Sequence, residues 1–112
     1  MKVLFLVLNK TECLEDILKA FSEKNLHGAT ILDSKGMAHS LDSFTELSFT
    51  LSLHKLLNPD HKESKTVFMV LKDDEVDLVS EIVNKVTGGL SQPDTGILFT
   101  MPVDRLEGFK LK

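Results

Sequence analysis

The sequence has one cysteine, fewer basic than acidic residues, and no long hydrophobic segment at its start. The single cysteine, Cys13, excludes a disulfide within the chain and is typical of a reducing compartment. Its 13 basic and 17 acidic residues give a net charge of −4. This balance argues against non-specific nucleic-acid binding, which needs clustered lysine and arginine. We therefore expect no nucleic-acid partner.

The apolar segment near the N-terminus, Val3–Leu8, is too short for a secretory or membrane segment. A secretory core has about 7–15 apolar residues and a membrane span about 20. A short run of this kind is typical of a buried strand. The sequence therefore predicts one cytoplasmic domain over residues 1–112, without membrane insertion.

The first part of the chain has the pattern of a β-α-β unit. The apolar run Lys2–Leu8 predicts a strand, and Ala29–Asp33 predicts a second one. Between them, one face of a helix is marked by Leu14, Ile17, Leu18 and Phe21. Asn9 or Thr11 is available to cap this helix.

The same pattern returns in the second half of the chain. Thr66–Lys72 predicts a strand, and the acidic residues 73–75 favour the start of a helix because they complement its dipole. The buried face of this helix is marked by Val76, Val79, Ile82, Val83 and Val86. Gly88 and Gly89 end the helix, and Ile97–Met101 predicts the closing strand.

Two β-α-β units in series predict an α+β, ferredoxin-like fold, with a four-stranded antiparallel sheet and two helices on one face. Lys2–Leu8 and Thr66–Leu71 are apolar at successive positions, so the face without helices would be apolar as well. Monomers rarely leave an apolar patch beyond a few hundred Å² in water. The pattern therefore predicts self-association through the bare sheet face.

The two units are joined by an unusually long connection, residues 37–64. Within it, Leu47–Leu53 alternates between apolar and polar residues, as in a half-buried strand. Phe44, Leu47 and Leu51 fit one face of a helix equally well. Two interpretations remain open, an extra strand at the sheet edge and an arm that recognises a partner.

The tail TGILFTMPVDRLEGF resembles the closing segment of the P-II signal-transduction family and its P-II-like relatives. The segment MKVLFLVLNKTECLEDILKAFSEKNLHGATILDSKG is similar to that family's first β-α-β unit. KTVFMVLKDDEVDLVSEIVNKVTGG is similar to its third strand and second helix, and MPVDRLEGF to the end of the cyclic di-AMP-binding P-II-like proteins. The 37–64 connection falls where the family has the loop through which it contacts partners.

The resemblance implies a homotrimeric regulatory protein of the kind linked with nitrogen regulation. It would bind a small effector, an adenine nucleotide or a cyclic dinucleotide, in clefts between subunits, and signal to a regulated protein through the 37–64 loop. The effector residues implied are Thr30, Lys35, Gly36, Thr87, Gly88, Gly89, Gly96 and Lys110.

The chain also departs from the family pattern. Gly89 and Ile97 stand where the resemblance places basic residues, and Asp94 adds a carboxylate to the same loop. The long connection has no tyrosine that could be uridylylated. The amides of Gly88 and Gly89 can form an anion-binding nest, but glycines at this position are equally the ordinary end of a helix.

Two other functions remain open on the sequence. One is an interaction module without a ligand, in which Leu47–Leu53 pairs with the strand edge of a partner. The other is a CutA-like metal-binding trimer, although the four histidines, His27, His39, His54 and His61, lack a tight ligand spacing. The sequence has no nucleophile elbow, no paired-carboxylate signature and no complete phosphate loop, so we expect no enzyme, no catalytic residue and no metal site.

Overall fold

The computed structural model describes residues 1–37 and 63–108, which form an α+β fold with a four-stranded antiparallel sheet. The elements in chain order are β1 (Lys2–Leu8), α1 (Leu14–Glu23), β2 (Thr30–Ser34), β3 (Ser64–Leu71), α2 (Val76–Thr87) and β4 (Gly96–Pro102). The strand order is β2-β3-β1-β4. The predicted ferredoxin-like arrangement is confirmed, with two helices in the described residues.

The strand bounds differ most from the prediction in β3. This strand begins at Ser64 rather than at Thr66, because its first two residues pair with the end of β2. Ser34 is opposite Ser64, and the Lys65 ammonium donates to the Asp33 carboxylate across the same pair of strands. Cross-strand polar pairs of this kind extend a strand beyond its apolar segment.

Both helices lie on the same face of the sheet. The apolar side chains that β1 and β3 direct to this face are each at most 2% exposed: Leu4, Leu6, Leu8, Val67, Met69 and Leu71. They form one core with Ile17 and Phe21 of α1 and with Val79 and Val83 of α2. Burial of a large aliphatic or aromatic side chain contributes about 1.5–3 kcal/mol, so this layer holds the helices to the sheet.

Each helix is preceded by a 3₁₀ turn, Thr11–Cys13 before α1 and Asp73–Glu75 before α2. The predicted cap of α1 by Asn9 or Thr11 is wrong, because a 3₁₀ turn over Thr11–Cys13 precedes α1 and places Cys13 at its N-cap. Before α2, a carboxylate oxygen of Glu75 accepts a hydrogen bond of 2.8 Å from the backbone N–H of Lys72. One of the predicted acidic residues therefore fixes the entry to this helix.

The C-terminus of α1 is closed by a Schellman motif. Asn25 has a left-handed backbone with φ of 60°, and its N–H donates to the Ser22 carbonyl at 3.1 Å. The N–H of Leu26 donates to the Phe21 carbonyl at 2.8 Å, and both of these side chains are buried. These bonds satisfy the last carbonyls of the helix and turn the chain toward β2.

Asn25→Val is expected to lower the free energy of unfolding by about 1–2 kcal/mol, because a β-branched residue is disfavoured in the left-handed region. Asn25→Gly should leave it unchanged or raise it by a few tenths of a kcal/mol, roughly the difference expected at this cap. Urea unfolding measures both changes. The control is Ser22→Val in the last turn of α1, which is exposed and should cost less. Equal losses for Asn25→Val and Ser22→Val would contradict the cap assignment.

The second face of the sheet is not covered by α1 or α2 and is called here the open face. Its residues are Val3, Phe5, Val7, Thr30, Leu32, Ser34, Ser64, Thr66, Phe68, Val70, Ile97, Phe99 and Met101. None carries a charge. The Phe5 ring centroid lies 5.8 Å from that of Phe68 and 5.2 Å from that of Phe99, so an aromatic row crosses three strands. Apart from four hydroxyl side chains on β2 and the start of β3, the open face is apolar, as the sequence predicts.

Candidate functional site

The Thr-Gly-Gly turn, residues 87–89, lies at the end of the sheet where β1 stops and β4 starts. Gly96 pairs with Leu8 in the register of these two strands. The backbone N–H groups of Asn9 and Lys10 both donate to the Thr95 carbonyl, at 3.0 and 3.1 Å. The Lys10 Nζ donates to the Thr87 carbonyl at 3.0 Å. These bonds tie the end of α2 to both strands.

The turn itself is closed by its own hydrogen bonds. Gly88 has a left-handed backbone with φ of 87° and caps α2. The Gly89 N–H donates to Thr87 Oγ1 at 3.3 Å, and the Leu90 N–H donates to Asn84 Oδ1 at 2.8 Å. One amide of the predicted nest, that of Gly89, is therefore already bonded to a side chain, as is the next amide along the chain, that of Leu90. An anion would gain these donors only by displacing Thr87 Oγ1 and Asn84 Oδ1.

Gly96 has a steric role in the sheet that is independent of any ligand. A Cβ at this position would lie 2.6 Å from the Val7 carbonyl oxygen and 3.3 Å from Leu8 Cα. Real Cβ atoms essentially never approach an atom this closely. The pairing of β4 with β1 thus requires a glycine here.

The other implied effector residues lie on the β2 side of the sheet. Thr30 is exposed, at the first position of β2 on the open face. Lys35 and Gly36 follow the last residue of β2, and the Lys35 Nζ lies 3.7 Å from a carboxylate oxygen of Glu63. Both partners of this ion pair are exposed, so it contributes little to stability.

Three hydroxyl groups lie beside this ion pair, where the 37–64 connection leaves and rejoins the sheet. Ser34 Oγ lies 2.7 Å from Ser64 Oγ and accepts a hydrogen bond of 2.8 Å from Thr66 Oγ1. Ser64 is only 3% exposed. These contacts fix the register of β2 on β3 at the base of the connection.

The structure thus divides the implied effector residues into two groups. The β2 group is Thr30, Lys35 and Gly36, and the α2–β4 group is Thr87, Gly88, Gly89 and Gly96. One row of paired residues crosses all four strands and consists of Asp33, Lys65, Leu8 and Gly96. Most residues of both groups lie at or beyond this row, at the same end of the sheet. The groups nevertheless lie toward opposite edges of the sheet, whose edge strands β2 and β4 are about 14 Å apart for three strand spacings of about 4.8 Å. Lys110 lies outside the described residues.

The part of the chain that the structure describes has neither a metal-ligand cluster nor a membrane-spanning helix. Within residues 1–37 and 63–108, no group of three or more His, Cys, Asp or Glu side chains is placed to hold a metal ion. His27 is exposed, and His39, His54 and His61 lie outside the described residues. The buried Cys13 has its Sγ 3.8 Å from the Val86 carbonyl oxygen, a packed position against the end of α2. None of the described helices is long and apolar enough to cross a membrane.

Comparison of the chain with protein-family models and with curated proteins gives no match. The resemblance of its segments to the P-II family therefore stays a prediction.

Proposed function

We propose that the chain is a cytoplasmic, P-II-like regulatory protein that forms a homotrimer. It binds a small phosphate-bearing effector, an adenine nucleotide or a cyclic dinucleotide, between subunits and signals to a partner protein through the 37–64 connection. In this role the protein detects the effector and passes the signal to its partner, and it catalyses no reaction. The observation that carries this proposal is the uncharged, apolar open face of a ferredoxin-like sheet.

The size and exposure of the open face support self-association. Four strands at about 4.8 Å spacing and seven residues at about 3.4 Å rise give a face of roughly 450 Å². Its edge residues remain accessible, with Ile97 59% and Leu32 50% exposed. The largest apolar patch on a typical monomer measures about 300–600 Å² and is often functional, so a face of this size is a candidate interaction surface. Packing the open faces of three copies together would remove all three faces from water.

The positions of the two residue groups support an effector site between copies. A single chain holds the β2 group and the α2–β4 group toward opposite edges of one sheet, whose edge strands are about 14 Å apart. In a closed head-to-tail ring, the β2 edge of one copy lies beside the β4 edge of the next. Lys35 and Gly36 of one copy would then face Thr87 and Gly88 of its neighbour. Such a site is complete only in the oligomer.

The proposal is tested by the mass and the ligand response of the purified protein. Light scattering after size exclusion should give three times the 12.5 kDa chain mass. A thermal-shift panel should include ATP, ADP, AMP, cyclic di-AMP and 2-oxoglutarate, each with and without magnesium. A ligand at about 100 times its Kd adds roughly 2.7 kcal/mol, which raises the Tm by several degrees. A monomeric mass, or no shift with any nucleotide, would contradict the proposal.

A second function, an interaction module without a small ligand, is favoured by one observation. The Gly89 and Leu90 amides are already bonded to Thr87 and Asn84, so the turn needs no ligand to complete it. Limited proteolysis separates the two functions. Cleavage in residues 37–64 that a nucleotide suppresses supports the sensor, whereas resistance without any nucleotide supports a fixed interaction arm.

A further inference from the structure

Lys10 is a basic residue that the fold brings to the Thr-Gly-Gly turn from a distant part of the sequence. Its Nζ donates to the Thr87 carbonyl at 3.0 Å, although the two residues are 77 positions apart. The residue is exposed, and its bond to Thr87 is partly buried. Positions 89 and 97, where the resemblance places basic residues, are Gly89 and Ile97.

The geometry leaves the Lys10 ammonium with unused hydrogen-bonding capacity. A lysine ammonium has three N–H donors, and the bond to the Thr87 carbonyl uses one of them. Its backbone is fixed as well, because the Lys10 N–H donates to the Thr95 carbonyl at 3.1 Å. A side chain held in this way loses little further freedom when it binds an anion, which favours binding.

We propose that Lys10 joins the α2–β4 group as its cation and binds a phosphoryl group of the effector. This inference rests on the proposed function, because it assigns a residue to the same effector site. Lys10 supplies a charge-assisted hydrogen bond where the amides of Gly89 and Leu90 are committed to the turn.

The surrounding charges limit how many phosphates this position takes. The C-terminus of α2 carries a partial negative charge, and Asp94 adds a carboxylate to the loop that follows. One ammonium group offsets a single phosphoryl charge better than the three or four charges of a triphosphate. The ligand class is therefore a nucleoside monophosphate or a cyclic dinucleotide rather than ATP.

Calorimetric titration of the folded oligomer with AMP, cyclic di-AMP, ATP and adenosine tests this role. The variants are Lys10→Met, Lys10→Arg and the control Lys85→Met, which removes an exposed lysine from the last turn of α2. We expect AMP or cyclic di-AMP to bind wild type more tightly than ATP. Lys10→Met should weaken that ligand about tenfold or more, since a hydrogen bond to a charged group is lost. Lys10→Arg should restore most of the affinity, and Lys85→Met should leave it unchanged.

The outcomes separate this inference from the proposed function. If the wild type binds a ligand and Lys10→Met does not change its affinity, Lys10 only caps α2. The proposed effector site would then not include Lys10. Equal losses of affinity with Lys10→Met and Lys85→Met would show that only the overall charge matters, which would overturn the assignment of Lys10. A wild-type protein that binds none of the three phosphate ligands would overturn both proposals.

Adenosine lacks a phosphate, so any weak adenosine binding should not change in Lys10→Met. A loss for adenosine as large as that for AMP would show damage to the fold.

Discussion

Gly96→Ala is expected to lower the free energy of unfolding by about 2–4 kcal/mol, because it forces atoms into a packed sheet. The new Cβ would lie 2.6 Å from the carbonyl oxygen of Val7, which belongs to the neighbouring strand and cannot rotate away. Gly96 also has φ of 156°, a backbone conformation that residues with a Cβ rarely adopt. Either β4 moves away from β1 at this end, or the Gly96–Leu8 pairing is lost.

Urea or thermal unfolding measures this loss, with Gly28→Ala as the matched control. A Cβ at Gly28 would have no atom within 4 Å, so that variant should change stability by less than about 0.5 kcal/mol. For a domain of this size, the loss at Gly96 corresponds to a fall in Tm of roughly 10 °C or more. Equal stability of the two alanine variants would show that β4 does not approach β1 as closely as the structure has it.

The sequence predicted those parts of the fold that depend on local apolar patterning. Strand β1 has the predicted bounds, Lys2–Leu8, because an uninterrupted apolar run between polar residues marks both ends. The predicted helix faces also contain the core residues Phe21 and Val83. The start of β3 was missed because Ser64 and Lys65 look like loop residues. Their place in the strand depends on partners in β2, which no local pattern reveals.

The candidate site was less predictable, because its contacts join residues far apart in the chain. The glycines of the turn were visible as a helix end or an anion nest, and the sequence alone could not separate these. The structure adds that Asn84 bonds the Leu90 amide, although in sequence it looks like an ordinary polar helix residue. No sequence pattern links Lys10 to Thr87, since the two residues are in contact only because β1 and α2 end at the same place.

Phe99→Lys is expected to convert the proposed trimer to monomers at micromolar concentration. Phe99 lies on the open face of the edge strand β4, is 42% exposed, and stacks on Phe5 with ring planes 13° apart. In an assembly with open faces packed together, its replacement would put an unpaired ammonium into an apolar interface. Burial of an unpaired charge costs several kcal/mol, and every copy of a trimer would bear that cost. Sedimentation velocity or light scattering measures the mass.

The matched control is Thr100→Lys, the next residue of β4, which is exposed and pairs with Leu4 on the helix-covered side. This variant carries the same added charge on the same strand but should keep the trimeric mass. Met101→Lys, at an open-face position 45% exposed, provides a second disruption that leaves the Phe5–Phe99 stack intact. Circular dichroism should show that all three variants are folded. A trimeric mass for both open-face variants, or a monomeric wild type, would show that the open face does not join copies of the chain. The apolar row across β3, β1 and β4 would then need a different partner.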